Sequence, residues 1–117
     1  MSRATALTAF VAAVTSAAIW ALSPVFTGSV EPWDADGFFY PGALVVAGLV
    51  SGMLRPRPLW ALYLGAVAGQ LAYESLFLRV GPLFLLGAVF LLGFSSIFLA
   101  AAALAALVRL RMTSGRP

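Results

Sequence analysis

Polar positions along this chain are confined to short interruptions between four apolar runs. The first run extends from Ala4 to Val30, between Arg3 and Glu31. The second covers Gly37 to Leu54 and is closed by Arg55-Pro56-Arg57-Pro58. The third spans Leu59 to Leu78 with Glu74 inside it, and the fourth continues from Pro82 to Val108 without a charge. Runs of about 20 apolar residues, at about 1.5 Å of helical rise each, match roughly 30 Å of hydrocarbon. The pattern predicts an all-α integral membrane protein of one domain. Its four transmembrane helices, at about 4–26, 37–54, 59–78 and 82–108, would form a compact antiparallel bundle.

The punctuation between runs sets the expected helix ends. Regular helix in the first span is expected to stop near Leu22, because Pro24 disfavours helix at Ser23 and Thr27-Gly28-Ser29 reads as loop. A second helix starting at Pro41 would cover only about 21 Å, whereas a start near Asp36 would place proline inside it. A short, tilted or re-entrant second segment is the alternative to a full crossing. Two prolines flanking Arg57 leave room only for a tight turn, so the second and third helices are expected to be antiparallel neighbours. Pro82 suits the first position of the fourth helix, whose length of about 40 Å exceeds the hydrocarbon core. Met112 to Pro117 reads as a short, fraying polar tail. Met1-Ser2-Arg3 ahead of an alanine-rich stretch also fits a signal peptide, but the run is longer than such a segment needs, and the transmembrane reading is preferred.

Composition strengthens the membrane reading: hydrophobic residues make up 62% and charged residues 9% of the 117, with mean hydropathy +1.02. All seven basic residues are arginine. If every run crosses, Arg3, Arg55, Arg57, Arg109, Arg111 and Arg116 share one side and Arg79 stands alone opposite, which places both termini in the cytoplasm of a bacterial inner membrane. The arginines flank apolar spans and form no stripe, so nucleic acid is not the expected partner. Arg55, Arg57, Arg109 and Arg111 are instead expected to meet anionic lipid headgroups. Trp20 and Trp33 would lie at the outer interface and Trp60 at the inner one.

Chemistry is narrowed by what is missing. Histidine, cysteine, lysine and asparagine do not occur, which removes the usual ligands of zinc, copper, haem and iron–sulfur centres together with the commonest bases and nucleophiles. No cofactor and no enzymatic activity are expected. Glu74 is the only acid inside a span, and Gln70, the only glutamine, precedes it by one turn on the same helix face. A carboxylate in hydrocarbon is costly, so Gln70, Tyr73 and Glu74 form a candidate solute or proton site. Against this stands a purely structural role, with Glu74 hydrogen-bonded to a tyrosine, to Arg79 or to headgroups. The outer loop holds Glu31, Trp33, Asp34 and Asp36, a candidate docking surface whose acids lack the remaining ligands of a calcium loop.

Small residues recur at helical spacing: Thr5, Ala9, Ala13, Ala17 and Ala21 in the first span, Gly48 and Gly52 in the second, and Ala61, Gly65 and Gly69 in the third. Such ridges let helices approach closely in lipid, within one chain or between copies. Ser95 and Ser96, midway along the fourth span, are expected to be packing residues. Two functions follow. The first is a channel or transporter for a small solute or ion, acting as a homo-oligomer because one such bundle has little interior. The alternative is a non-catalytic accessory or assembly subunit bound to other membrane protein subunits.

Overall fold

A computed structural model describes residues 2–28, 37–77, 81 and 84–114. Four helices account for nearly all of them: α1 (Arg3–Thr27), α2 (Phe39–Leu54), α3 (Leu59–Phe77) and α4 (Phe84–Ser114). The helix starts are chemically explained. Ser2 caps α1, its hydroxyl accepting the Thr5 amide at 3.1 Å. Pro41 lies in the first turn of α2, where a backbone N–H would have no helical acceptor, so the helix begins at Phe39 with proline inside it at no loss. At 16 residues α2 is about 24 Å long.

Two helix ends depart from the expected ones. α1 does not stop near Leu22 but runs through Pro24 to Thr27, and Gly28 then closes it in the left-handed conformation (φ 77°), its amide donating to Pro24 O. Proline removes a single amide, while the Thr27 hydroxyl, which donates to Ser23 O at 2.8 Å, stitches the last turn. α4 likewise continues past Met112. The Thr113 hydroxyl donates to the carbonyls of Arg109 and Leu110, and arginines in the final turns oppose the negative end of the helix dipole.

Packing is decided by glycine. A Cβ on Gly65 would overlap the backbone of Ala9, and one on Gly69 the backbone of Ala13, so α1 and α3 touch along their main chains. The paired positions rise together in both helices, which makes α1 and α3 parallel. Gly48 and Gly52 meet the backbones of Phe98 and Ala102 in the same way, which makes α2 and α4 parallel. Thr15 on α1 is hydrogen-bonded to Ser51 on α2 at 2.8 Å, and Trp20 stacks edge-on to Tyr40, so α1 and α2 are antiparallel.

The helices therefore form a ring in the order α1, α3, α4, α2, with the closest contacts between parallel partners. α2 and α3 run in opposite directions, as their tight connection requires, but they face each other diagonally across the bundle and are not packed neighbours. The glycine pairs explain this departure: each seats its helix against a small-residue face elsewhere, and those backbone contacts outweigh proximity in sequence.

Polar side chains are buried beside the apolar core while many large apolar ones face outward. Thr8, Ser16, Ser23, Ser51, Gln70, Glu74 and Ser95 are buried, while Phe10, Val25, Phe26, Val46, Leu85 and Val89 are more than half exposed. α1 and α4 are long and apolar enough to cross a membrane, and only 28% and 39% of their most apolar stretches are covered within the bundle.

Candidate functional site

The centre of the bundle is organised by one side chain. Gln70, fully buried on α3, accepts two hydrogen bonds at Oε1: from the Trp20 indole of α1 at 3.0 Å and from the Tyr40 hydroxyl of α2 at 2.5 Å. Its Nε2 donates to Ala66 O at 3.1 Å and to the Ser95 hydroxyl of α4 at 3.0 Å. An indole N–H can only donate, so Trp20 fixes which end of the amide is the oxygen. Two acceptor sites and two N–H groups are the full capacity of a glutamine, and all four are engaged. Every helix contributes a partner.

Aromatic rings enclose this hub. Trp20 and Tyr40 meet edge to face with centroids 6.3 Å apart, and Tyr40 packs on Phe94 at 4.9 Å. Trp20, expected near the outer interface, is fully buried beside Tyr40 in the first turn of α2, so its ring faces protein. The signal was present in spacing: Thr8, Ala12, Ser16, Trp20 and Ser23 form the buried stripe of α1, and Trp20 lies on it. Tyr40 and Ser95 were not legible as partners of Gln70, because nothing in sequence pairs residues 30 and 25 positions away across a bundle.

The three side chains expected to form a solute or proton site all lie in the last two turns of α3, with Gln70 and Glu74 buried and Tyr73 half-buried. Glu74, one turn beyond Gln70 on the same face, is 5% exposed and within electrostatic reach of Tyr40. Tyr73 packs against the core and also lines a groove between α1 and α3 with Ala17, Gly69 and Leu76. Among the described residues no cluster of acids could hold a metal ion. The outer loop acids Glu31, Asp34 and Asp36, with Trp33, lie outside the described residues, as do Arg79 and Arg116.

Arginines mark one end of the bundle. Arg55 donates to Ala4 O at 2.9 Å and to the Thr8 hydroxyl at 3.3 Å, and that hydroxyl donates to Arg57 O at 2.8 Å, tying the 55–58 turn to the start of α1. Arg109 donates to the carbonyls of Met53 and Leu54 at 2.6 and 2.8 Å, closing the end of α2. Arg55 and Arg109, both expected at headgroups, thus spend N–H groups within the chain. Arg57 and Arg111 are exposed.

Among the described residues, grooves open between α1 and α2, between α3 and α4, between α1 and α3, and along α4, and these four are lined by neither Gln70 nor Glu74. A groove of about 370 Å³ separates α1 from α2, and one of about 610 Å³ separates α3 from α4, the two antiparallel and looser contacts of the ring. Compared with known proteins, the chain matches no family model, no curated protein and no solved structure.

Proposed function

We propose that this chain is an integral membrane protein whose four helices cross the bilayer with the arginine end in the cytoplasm. Its role is that of a non-catalytic subunit that packs against other membrane helices. The observation carrying this reading is the saturated Gln70 hub at the centre of a bundle that is apolar on its outside. A transport pathway needs polar groups with spare hydrogen-bonding capacity facing a cavity, whereas here the central amide is spent on holding four helices together. The outer surface offers what an assembly subunit uses: apolar grooves at the two looser helix contacts.

A second reading rests on Glu74. A carboxyl that is 5% exposed, in the last turn of α3 away from the arginine end, is an expensive feature to retain where hydrocarbon surrounds the bundle. In that reading Glu74 exchanges a proton or attracts a cation, and a second copy of the chain supplies the rest of the pathway.

Purification in mild detergent followed by native mass measurement separates the two. Stoichiometric co-purification with other membrane proteins supports the subunit. A stable homo-oligomer that passes ions in vesicles, and loses that flux on Glu74→Gln, supports transport instead. Recovery of the chain from aqueous buffer without detergent overturns both.

A further inference from the structure

The ring is built from two kinds of helix contact. Within α1–α3 and within α2–α4 the main chains touch at Gly65, Gly69, Gly48 and Gly52, and nothing in such a contact can rotate to absorb a change of angle. Arg109 adds to the second pair by holding the Met53 and Leu54 carbonyls. Between the pairs, the bonds near mid-depth are of another sort. Thr15 and Ser51 share a hydrogen bond, Tyr40 donates to Gln70, Gln70 donates to Ser95, and Tyr63 donates to Leu92 O, so each link has a hydroxyl at one end or both. A hydroxyl turns about its C–O bond and keeps its partner as that partner shifts. Two stiff helix pairs are thus joined near their middle by swivelling links.

The two seams between the pairs are closed at opposite ends. The α1–α2 seam is tied at the arginine end, where Arg55 donates to Ala4 O and the Thr8 hydroxyl donates to Arg57 O. Its groove runs the other way, from Thr15 and Val50 outward to Phe26 and Phe39. The α3–α4 seam is the reverse. Residues 78–83 alone connect these helices in the chain, which keeps their outer ends near each other, and the groove lies toward the arginine end, between Leu59 to Leu64 of α3 and 96–103 of α4. Opposed gaps on opposed seams are the geometry of a lever. When α1–α3 turns as one body against α2–α4 about the mid-depth links, parting the pairs at the outer end brings them together at the arginine end.

We propose that the bundle rocks as two rigid helix pairs about the level of Gln70, so that widening the outer α1–α2 groove narrows the α3–α4 groove at the arginine end, and the reverse. A partner helix or lipid wedged into one groove thereby alters the other on the far side of the bilayer. The device goes beyond the functions proposed above and holds for either of them, since it needs only the fold.

The chain has no cysteine, so engineered cysteine pairs carry nitroxide labels without background. Double electron–electron resonance on the whole chain in lipid nanodiscs reads the rocking at exposed positions of α1 and α4: Val25→Cys with Leu85→Cys at the outer end, and Leu7→Cys with Leu107→Cys at the arginine end. Val45→Cys with Leu104→Cys reports within the α2–α4 pair. Ala47→Phe at the floor of the α1–α2 groove, or Ala18→Phe from the facing helix, wedges that seam by overpacking. Either should lengthen the outer distance by about 2 Å and shorten the distance at the arginine end by a similar amount, with the α2–α4 distance unchanged. Ala103→Phe, in the α3–α4 groove, should reverse both signs. An arginine-end distance that stays fixed while the outer one lengthens overturns the proposal, because the seams then open independently. So do changes of the same sign at both ends, an α2–α4 distance that moves as far as the others in both outer wedge variants, or no response to any of the three wedges. A chain recovered from buffer without detergent fails the bilayer reading, and the same distances measured in that buffer still decide the rocking.

Discussion

Gln70 carries more of this structure than any other side chain. Removing it leaves the Trp20 indole, the Tyr40 hydroxyl and the Ser95 hydroxyl without their shared partner, and interhelical hydrogen bonds in membrane proteins average about 0.6 kcal/mol each and reach about 1.7. Gln70→Leu is therefore expected to cost about 2 to 5 kcal/mol, read as earlier unfolding in a denaturing-detergent titration followed by circular dichroism. Trp20→Phe, which removes the indole's bond to Gln70 and shrinks a buried two-ring side chain to one ring, should cost less. An order reversed between these two variants would show that the hub is held by ring packing and not by the amide. Ser16 is the converse case. Its hydroxyl is fully buried and has no hydrogen-bond partner among the described residues, so Ser16→Ala removes a desolvated polar group without breaking a contact. The variant should match or exceed the wild type by up to about 1 kcal/mol, and a clear loss of stability in the same titration would contradict the assignment.

Helices in this chain meet where side chains are absent. Along α1–α3 and α2–α4 the backbones touch at Gly65, Gly69, Gly48 and Gly52, and each contact is against main-chain atoms that cannot rotate away. Gly65→Val and Gly52→Val should each cost about 3 kcal/mol or more by forcing a helix pair apart, while Gly42→Ala and Gly93→Ala, where the added methyl meets open space, should be neutral or slightly stabilising. A fluorescence unfolding series across the four variants checks the contrast. The ridges themselves were readable from spacing, including Ala9, Ala13, Gly65 and Gly69, because small residues four apart share a helix face. Which ridge meets which was not readable. The helix ends show the same division: apolar run length predicted four elements, but Pro24 and Pro41 both proved compatible with helix, one through hydroxyl stitching and a glycine cap, the other through its place in the first turn.

At the scale of the whole molecule, five described arginines, Arg3, Arg55, Arg57, Arg109 and Arg111, belong to one end of the bundle, because Arg55 reaches the start of α1 and Arg109 the end of α2. With this end cytoplasmic, a reporter fused after Ser114 should be active only inside the cell, and activity outside would reverse the proposed orientation. Glu74→Gln should leave assembly with partner subunits unchanged if the carboxyl is structural, and a lost ion flux in vesicles would move the function to transport. Much of this was legible in the residues alone. Four apolar runs with few charges, and arginines kept to one set of connections, determine helical elements and an expected orientation, because hydrocarbon length and the cost of charge act locally on each segment. The ring order, the parallel α1–α3 and α2–α4 contacts and the joining of four helices at Gln70 were decided only in three dimensions. Those features depend on which backbone carbonyls lie opposite each glycine and which donors converge on one amide, and such contacts join residues tens of positions apart that no local pattern pairs.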